Sequence, residues 1–255
     1  MKQEVNSFQP VDSSWKGLYY AGGTAAVAMV ALFRRFFATE LVTFNGFGVF
    51  DVPDTMPVSA GDWFLLLHQD RFLGLVLFDL FDLFNYLLLG VVFLALYGAL
   101  RGTNKGMMVA ATAFGFVGIA VYAASNQAFA MLSLSNTYAT IDSETGRAMF
   151  LAAGEALLAI HSPGTLQQGT GIYASYLLVL LAGLLISLVM LRSTVFNKAT
   201  AYSGIAANLF ALGYFPALAL GAEIVWVFPT ISAPFRMIWY ILIAIGLFRL
   251  AANIK

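Results

Sequence analysis

The stretch FLGLVLFDLFDLFNYLLLGVVFLALYGAL, residues 72–100, decides the fold. Its apolar character is continuous rather than alternating, so it reads as a helix and not as a strand. At ~1.5 Å per residue it extends ~44 Å, more than the ~30 Å of a bilayer's hydrocarbon core. A helix satisfies its own backbone in lipid, which an isolated strand cannot do. Runs of the same kind recur, and the predicted spans are about 17–37, 72–100, 107–134, 172–191, 199–220 and 231–250.

The composition agrees with lipid as the main solvent. Of 255 residues, 60% are hydrophobic and 10% charged, and the mean hydropathy is +0.83. Soluble domains carry ~25% charged residues, so an ordinary soluble enzyme, a disordered chain and a nucleic-acid binder are excluded. Cysteine is absent, which excludes disulfides and thiolate metal sites. The first fifteen residues are polar, unlike a secretory leader, so the first span is expected to be retained.

The predicted fold class is all-α, a polytopic membrane protein forming one membrane domain over residues 1–255. A six-transmembrane-helix bundle carries an ordered extracytoplasmic cap of short helices, built from 38–71 and 135–171. The connections at 101–106 and 192–198 are short, whereas these two outer ones each exceed thirty residues. In the first, the turn-rich DVPDTMP (51–57) precedes a capping box at Ser59-Ala60-Gly61-Asp62 and a short helix. That helix is expected to lie in the interface, with Trp63 near the headgroups. In the second, a helix begins at Asp142 or Ser143 and stops at Pro163-Gly164. The second and third spans exceed the membrane thickness and are expected to project outward and support both connections.

Six spans put both termini on one side. That side holds eight Lys or Arg against Glu4 and Asp12, a net +6; the other holds five Arg against eleven acids, a net −6. The positive-inside rule makes the first side cytoplasmic. Arg34-Arg35, just past the first span, run against this assignment. The expected location is the plasma membrane, multi-pass, with both termini in the cytoplasm.

Within 72–100, Asp79, Asp82 and Asn85 recur every third residue and share a helix stripe, which Tyr86 joins. Carboxylates inside a membrane are costly and usually face a bundle interior, so these are candidate ligand-binding residues. The plain alternative is a hydrated, interfacial position, since Asp82 lies ~28 Å from Arg101 along the helix. The two histidines, His68 and His161, both fall on the outer side and are weak metal-ligand candidates. No His-Glu-x-x-His or comparable spacing supports them, so neither a metal nor a cofactor is predicted.

Several polar or small residues read as structural. Arg236 is expected to pair with Glu223 or a cap carboxylate, or to snorkel. Pro216, with Gly213 nearby, is expected to kink the fifth span. Ser203, Asn208 and Asn126 suit interhelical hydrogen bonds, and the pairs Ala21/Ala25 and Ala111/Gly115 suit close helix packing.

ASNQAFAMLSLSNTY (124–138), Arg147 with LAAGEALL (151–158), SLVMLRS (187–193), Val195-Phe196 with ATAY (199–202), and WYILI (239–243) form a set of mixed polar and apolar motifs. In these the chain resembles the prokaryotic membrane family called domain of unknown function 4386, over roughly residues 70–250. The resemblance implies a six-helix membrane protein and brings no activity. It directs attention to Asn126, Arg147 and Glu155, which are expected to join Asp79 and Asp82 around one pocket beneath the cap.

Three functions follow from these residues. The leading one is a non-enzymatic membrane protein that binds a lipid or small amphiphile in its outer half. The second is a small proton- or cation-coupled transporter using Asp79 and Asp82, for which no inverted repeat or clearly broken helix pair is visible. The third is a metal-dependent membrane hydrolase whose metal is held by His68, His161 and a carboxylate. The expected partners are membrane lipid and a small amphiphile, with no nucleic acid; the oligomeric state stays open.

Overall fold

The computed structural model describes residues 13–37, 55–163, 165, 168–221 and 223–254. Residues 51–54 of the turn-rich stretch, and the side chains of Arg34, Arg35 and Glu223, lie outside those described. Every regular element among the described residues is helical. Helix α1 covers Lys16–Phe37, α2 Ala60–Gln69 and α3 Arg71–Leu75. A single π-helical turn, Val76–Leu80, leads into α4, Phe81–Leu100. Then follow α5 (Lys105–Ser125), α6 (Ala128–Thr140), α7 (Glu144–Ile160) and α8 (Thr170–Met190). Helix α9 is Lys198–Leu212, α10 Tyr214–Ala219 and α11 Val227–Ala252.

Four helical stretches are long and apolar enough to cross a membrane: Arg71–Leu100, Lys105–Thr140, Thr170–Met190 and Ile224–Ala252. These are the marks of a multi-pass membrane protein. Helices α1 and α9 join these four in one closed ring. Helix α1 packs on α4, α4 on α5, α5 on α8, α8 on α9, α9 on α11 and α11 back on α1. The ring's interior is apolar, with Val92, Phe93, Leu96, Ile186, Ile243 and Leu247 at most 1% exposed. Its outward surface is apolar as well, with Val27, Leu87, Val117, Leu209 and Ile241 all exposed. A water-soluble bundle would put charges there.

Each of the six ring contacts includes a glycine at which a Cβ would crowd the neighbouring helix. Gly22 of α1 meets Ala95 of α4, and Gly115 of α5 meets Phe93 of α4. A Cβ at Gly118 would fall 2.9 Å from Val179, one at Gly183 2.6 Å from Asn208, and one at Gly23 2.6 Å from Phe248. Gly204 of α9 makes the sixth contact, under Trp239 of α11. Without a hydrophobic driving force in lipid, such close packing is what brings helices together. The expected Ala111/Gly115 pair is among these contacts, Ala111 being buried. The Ala21/Ala25 pair is corrected: Ala21 is exposed, and Gly22 and Ala26 turn inward instead. Ser203 and Asn208 are corrected too, since they donate to carbonyls of their own helix, Thr200 and Gly204. Ser232 makes the bond between helices, donating to Ala207 O at 2.8 Å.

A second cluster sits at the end of the ring where α4 begins, α5 ends and α8 begins. Helices α2, α3, α6 and α7 enclose a core of Trp63, Phe64, Phe78, Met131 and Leu158. The ring of Trp63 meets Phe78 edge-on at 4.7 Å. Trp63 is 1% exposed, which corrects its expected position among lipid headgroups: its apolar neighbours claim the whole indole. The capping box forms as its sequence predicts, with Ser59 Oγ accepting from Asp62 N and the Asp62 carboxylate accepting from Ser59 N. These bonds hold the Asp62 carboxyl below the usual carboxylate range. Ser143 caps α7 in the same way, accepting from Gly146 N.

The excess length of the second and third spans is accounted for here. Residues 71–80 and 128–140 are not bundle helix but parts of this cluster, separated from the ring by breaks at Asp79 and at Asn126-Gln127.

Candidate functional site

The break in the stretch 72–100 is sharp. Phe78 has φ −93°, ψ 40°, and Asp79 has φ 68°, ψ 19°, the only positive φ outside glycine among the described residues. That left-handed conformation is costly for an L-residue and is best tolerated by Asp and Asn. Two other chain breaks hold it in place. Asn126, between α5 and α6, donates from Nδ2 to Asp79 O at 3.2 Å, and its Oδ1 accepts from Ala128 N at the start of α6. His161, the residue that ends α7, places Nε2 2.9 Å from Asp79 Oδ2. Against a carboxylate, Nε2 is the donor. His161 is 2% exposed, and its Nδ1 has no partner among the described residues.

Beside this junction opens a cavity of about 590 Å³. Asp79, Asp82, Asn85 and Tyr86 all line it, so the stripe read from the sequence reaches one space despite the break. Asn85 and Tyr86 follow Asp82 within α4, whose regular turns keep their common face. His161 lines the cavity as well. Facing them are Arg236 of α11 and five further tyrosines: Tyr122, Tyr173, Tyr176, Tyr214 and Tyr240. Six of the chain's eleven tyrosines therefore surround this one space. Tyr86 stacks flat on Tyr122 at 3.8 Å, and Tyr176 meets Tyr214 edge-on at 6.0 Å.

Charged side chains from more than one helix line the cavity, Asp82 from α4 and Arg236 from α11 among them. The Tyr86 phenol lies within electrostatic reach of both the Asp82 carboxylate and the Arg236 guanidinium. Arg236 donates from Nη2 to Ser232 Oγ at 3.5 Å and interacts with the phenol of Tyr240. The expected role of Arg236 as a peripheral structural cation is thereby revised, since its side chain faces the cavity. Its pairing with Glu223 falls on a side chain outside those described.

The expected single pocket is divided by the structure. Asn126 stands one residue behind the cavity and braces Asp79. Arg147 and Glu155 do not line it. Arg147 is exposed; its Nε donates to Ile141 O at 2.8 Å and its guanidinium lies 6.0 Å over the Tyr138 ring. Glu155 Oε1 accepts from Ala60 N at 2.7 Å and so caps α2 from α7. Both side chains are used up in building the end cluster.

His68 is exposed on the last turn of α2, away from the cavity lining. Among the described residues no group of three His, Asp or Glu is placed to hold a metal ion. The expected kink at Pro216 is a one-residue interruption: α9 ends at Leu212, Gly213 keeps helical dihedrals (φ −60°, ψ −19°) while passing against Phe228, and α10 restarts at Tyr214.

Sequence reasoning missed the five facing tyrosines and Arg236. No linear spacing joins them, because they come from α5, α8, α10 and α11. One available signal was chemical. A tyrosine in place of phenylalanine deep in an apolar span needs a hydrogen-bond partner or water, and several such residues imply a shared polar space.

The site and fold define an all-helical protein with four helices long and apolar enough to cross a membrane, and a cavity at one end of its bundle whose apolar wall carries a few polar and charged groups. No family model, curated protein or solved structure matches the chain.

Proposed function

We propose that the chain is a membrane protein that binds a small amphiphile or lipid in the cavity beside Asp79. The cavity itself carries this reading: its ~590 Å³ falls in the range of small-molecule sites, and it joins apolar walls to a few convergent polar groups. In this reading all six ring helices cross the plasma membrane, and α1 and α9 do so as staves of one closed ring. The end cluster is the extracytoplasmic cap, and both termini are cytoplasmic, as the +6 and −6 division of charge favours. Membership of the family called domain of unknown function 4386 belongs to the same proposal.

Native mass spectrometry of the full chain, gently extracted, tests the ligand. One amphiphile per chain is expected, displaced in Ala233→Trp, which fills the cavity wall. A chain that carries no amphiphile in either form would remove this reading. Labelling from outside of a cysteine placed at Lys105, and not of one at Asp142, would reverse the orientation.

A cation- or proton-coupled transporter is the second reading, and one observation favours it. Helices bordering the cavity are interrupted at Asp79 and at Gly213, and discontinuous helices build the substrate sites of many transporters. Flux into proteoliposomes that is lost in Asp82→Asn would favour it over simple binding. The hydrolase reading has less support, since among the described residues no three His, Asp or Glu are grouped to hold a metal ion and His68 does not line the cavity that His161 lines.

A further inference from the structure

Resting on the amphiphile-binding reading, we infer that the cavity takes an anionic head, a carboxylate or phosphate held by Arg236. Three observations converge. First, Arg236 of α11 lines the cavity, and its partners among the described residues are a hydroxyl and a phenol, Ser232 and Tyr240. The groups within its electrostatic reach are phenols too, Tyr86, Tyr176 and Tyr240, while the ion pair found among the described residues joins Asp79 to His161. Second, the acids of the lining are already engaged. Asp79 Oδ2 lies 2.9 Å from His161 Nε2, and Asp82 has a partner of its own as well. Third, the guanidinium is anchored. Arg236 Nη2 donates to Ser232 Oγ at 3.5 Å, and that hydroxyl donates in turn to Ala207 O of α9 at 2.8 Å.

A cation in an apolar span is costly unless an anion answers it. The described residues give Arg236 neutral oxygens alone, so the ligand supplies the opposite charge. Ser232 and Tyr240 occupy part of the guanidinium's planar fork of donors and fix its position. The remainder of the fork suits the paired oxygens of a carboxylate or phosphate. Tyr86 and Tyr176 line the same space and carry phenol O–H groups able to donate to a further oxygen. The tail lies along apolar residues such as Leu89, Ile172 and Val179.

The test is a titration series on the full chain in a non-ionic amphipol, with probes of similar tail length. Decyl phosphate or decanoate is expected to bind at least about tenfold tighter than decyltrimethylammonium or decyl maltoside. This ranking needs no variant, and whichever anion binds the tighter identifies the head as phosphate or carboxylate. Arg236→Gln should erase the anion's advantage while decyl maltoside binds as before, which shows that the variant is folded. Glu223→Gln should leave the ranking unchanged; a gain for the anions would show that this carboxylate answers the guanidinium and would overturn the inference. Equal or tighter binding of the maltoside or the ammonium would overturn it too and leave the amphiphile reading standing. Failure of every probe would remove both. Inorganic phosphate or acetate binding as tightly as its tailed form would uphold the oxyanion site at Arg236 and identify a water-soluble anion as its source.

Discussion

The ring and the end cluster solve the same problem, helix association, by different means. In the ring, every one of the six helix contacts closes over a glycine, and both the interior and the outward surface are apolar. The end cluster also closes α7 on α2 over Gly154, but adds large aromatic side chains and polar caps: Trp63 on Phe78, the Ser59/Asp62 box, and Glu155 on the first amide of α2. In the proposed arrangement, with lipid around the ring and water around the end cluster, the difference follows from solvent. Where lipid surrounds the helices, burial of apolar groups gains little, and close approach must hold them. Where water is present, large buried side chains and satisfied helix ends supply the stability.

The sharpest way to break this comparison is Trp63→Ala. Loss of a fully buried indole should cost ~3–5 kcal/mol. Hydrogen exchange should rise across α2, α6 and α7 while α8, α9 and α11 stay protected. A uniform rise would show that ring and end cluster unfold as one unit. Next in size is Gly22→Val, which forces α1 away from Ala95 and should cost about 1–3 kcal/mol by denaturant titration. Ala21→Val, one residue earlier and exposed, should stay within about 0.5 kcal/mol. Equal effects of the two would end the argument for close approach at Gly22.

The caps of the end cluster should respond less strongly than its core. Ser59→Ala should destabilise α2 by about 0.5–2 kcal/mol, read as faster exchange of its first turn. At the junction, Asp79→Gly and Asp79→Ala both delete the carboxylate, but only glycine accepts φ 68° without strain. The glycine variant should be the more stable by about 1 kcal/mol. Equal stability would mean that the backbone relaxes there.

The smallest effect is one of pH. Asp62 has its pKa lowered in the folded chain by Ser59, so its contribution is present above the unfolded carboxylate value. That contribution is lost as pH falls through the lowered value. Protection of the first turn of α2 should therefore fade only in acid, and Ser59→Ala should weaken that fading, the Ser59 N–H bond to the Asp62 carboxylate remaining.

Much of this was legible in the chain. Apolar runs marked the helices because lipid demands them over lengths that leave a clear pattern. Ser59-x-x-Asp62 and Ser143 marked helix starts because a cap is a local bond within four residues. The stripe Asp79, Asp82, Asn85 and Tyr86 was readable because α4 keeps its turn from Phe81 onward. The roles of Arg147 and Glu155 were not legible. Each is fixed by one acceptor or donor, Ile141 O and Ala60 N, whose position depends on how α2, α6 and α7 pack. The break at Asp79 was hidden as well, because nothing local to residues 72–80 announces it. It is stabilised by Asn126 and His161, 47 and 82 residues away.

By itself, then, the sequence determined the solvent, the helices and the local caps, since each depends on neighbours within a few turns. Only the tertiary structure decided that the ring closes, that the second span is cut at Asp79, and that six tyrosines and Arg236 share one cavity with Asp82. Those outcomes depend on contacts between residues far apart in the chain, and the periodicity of one helix holds no information about the face another will present.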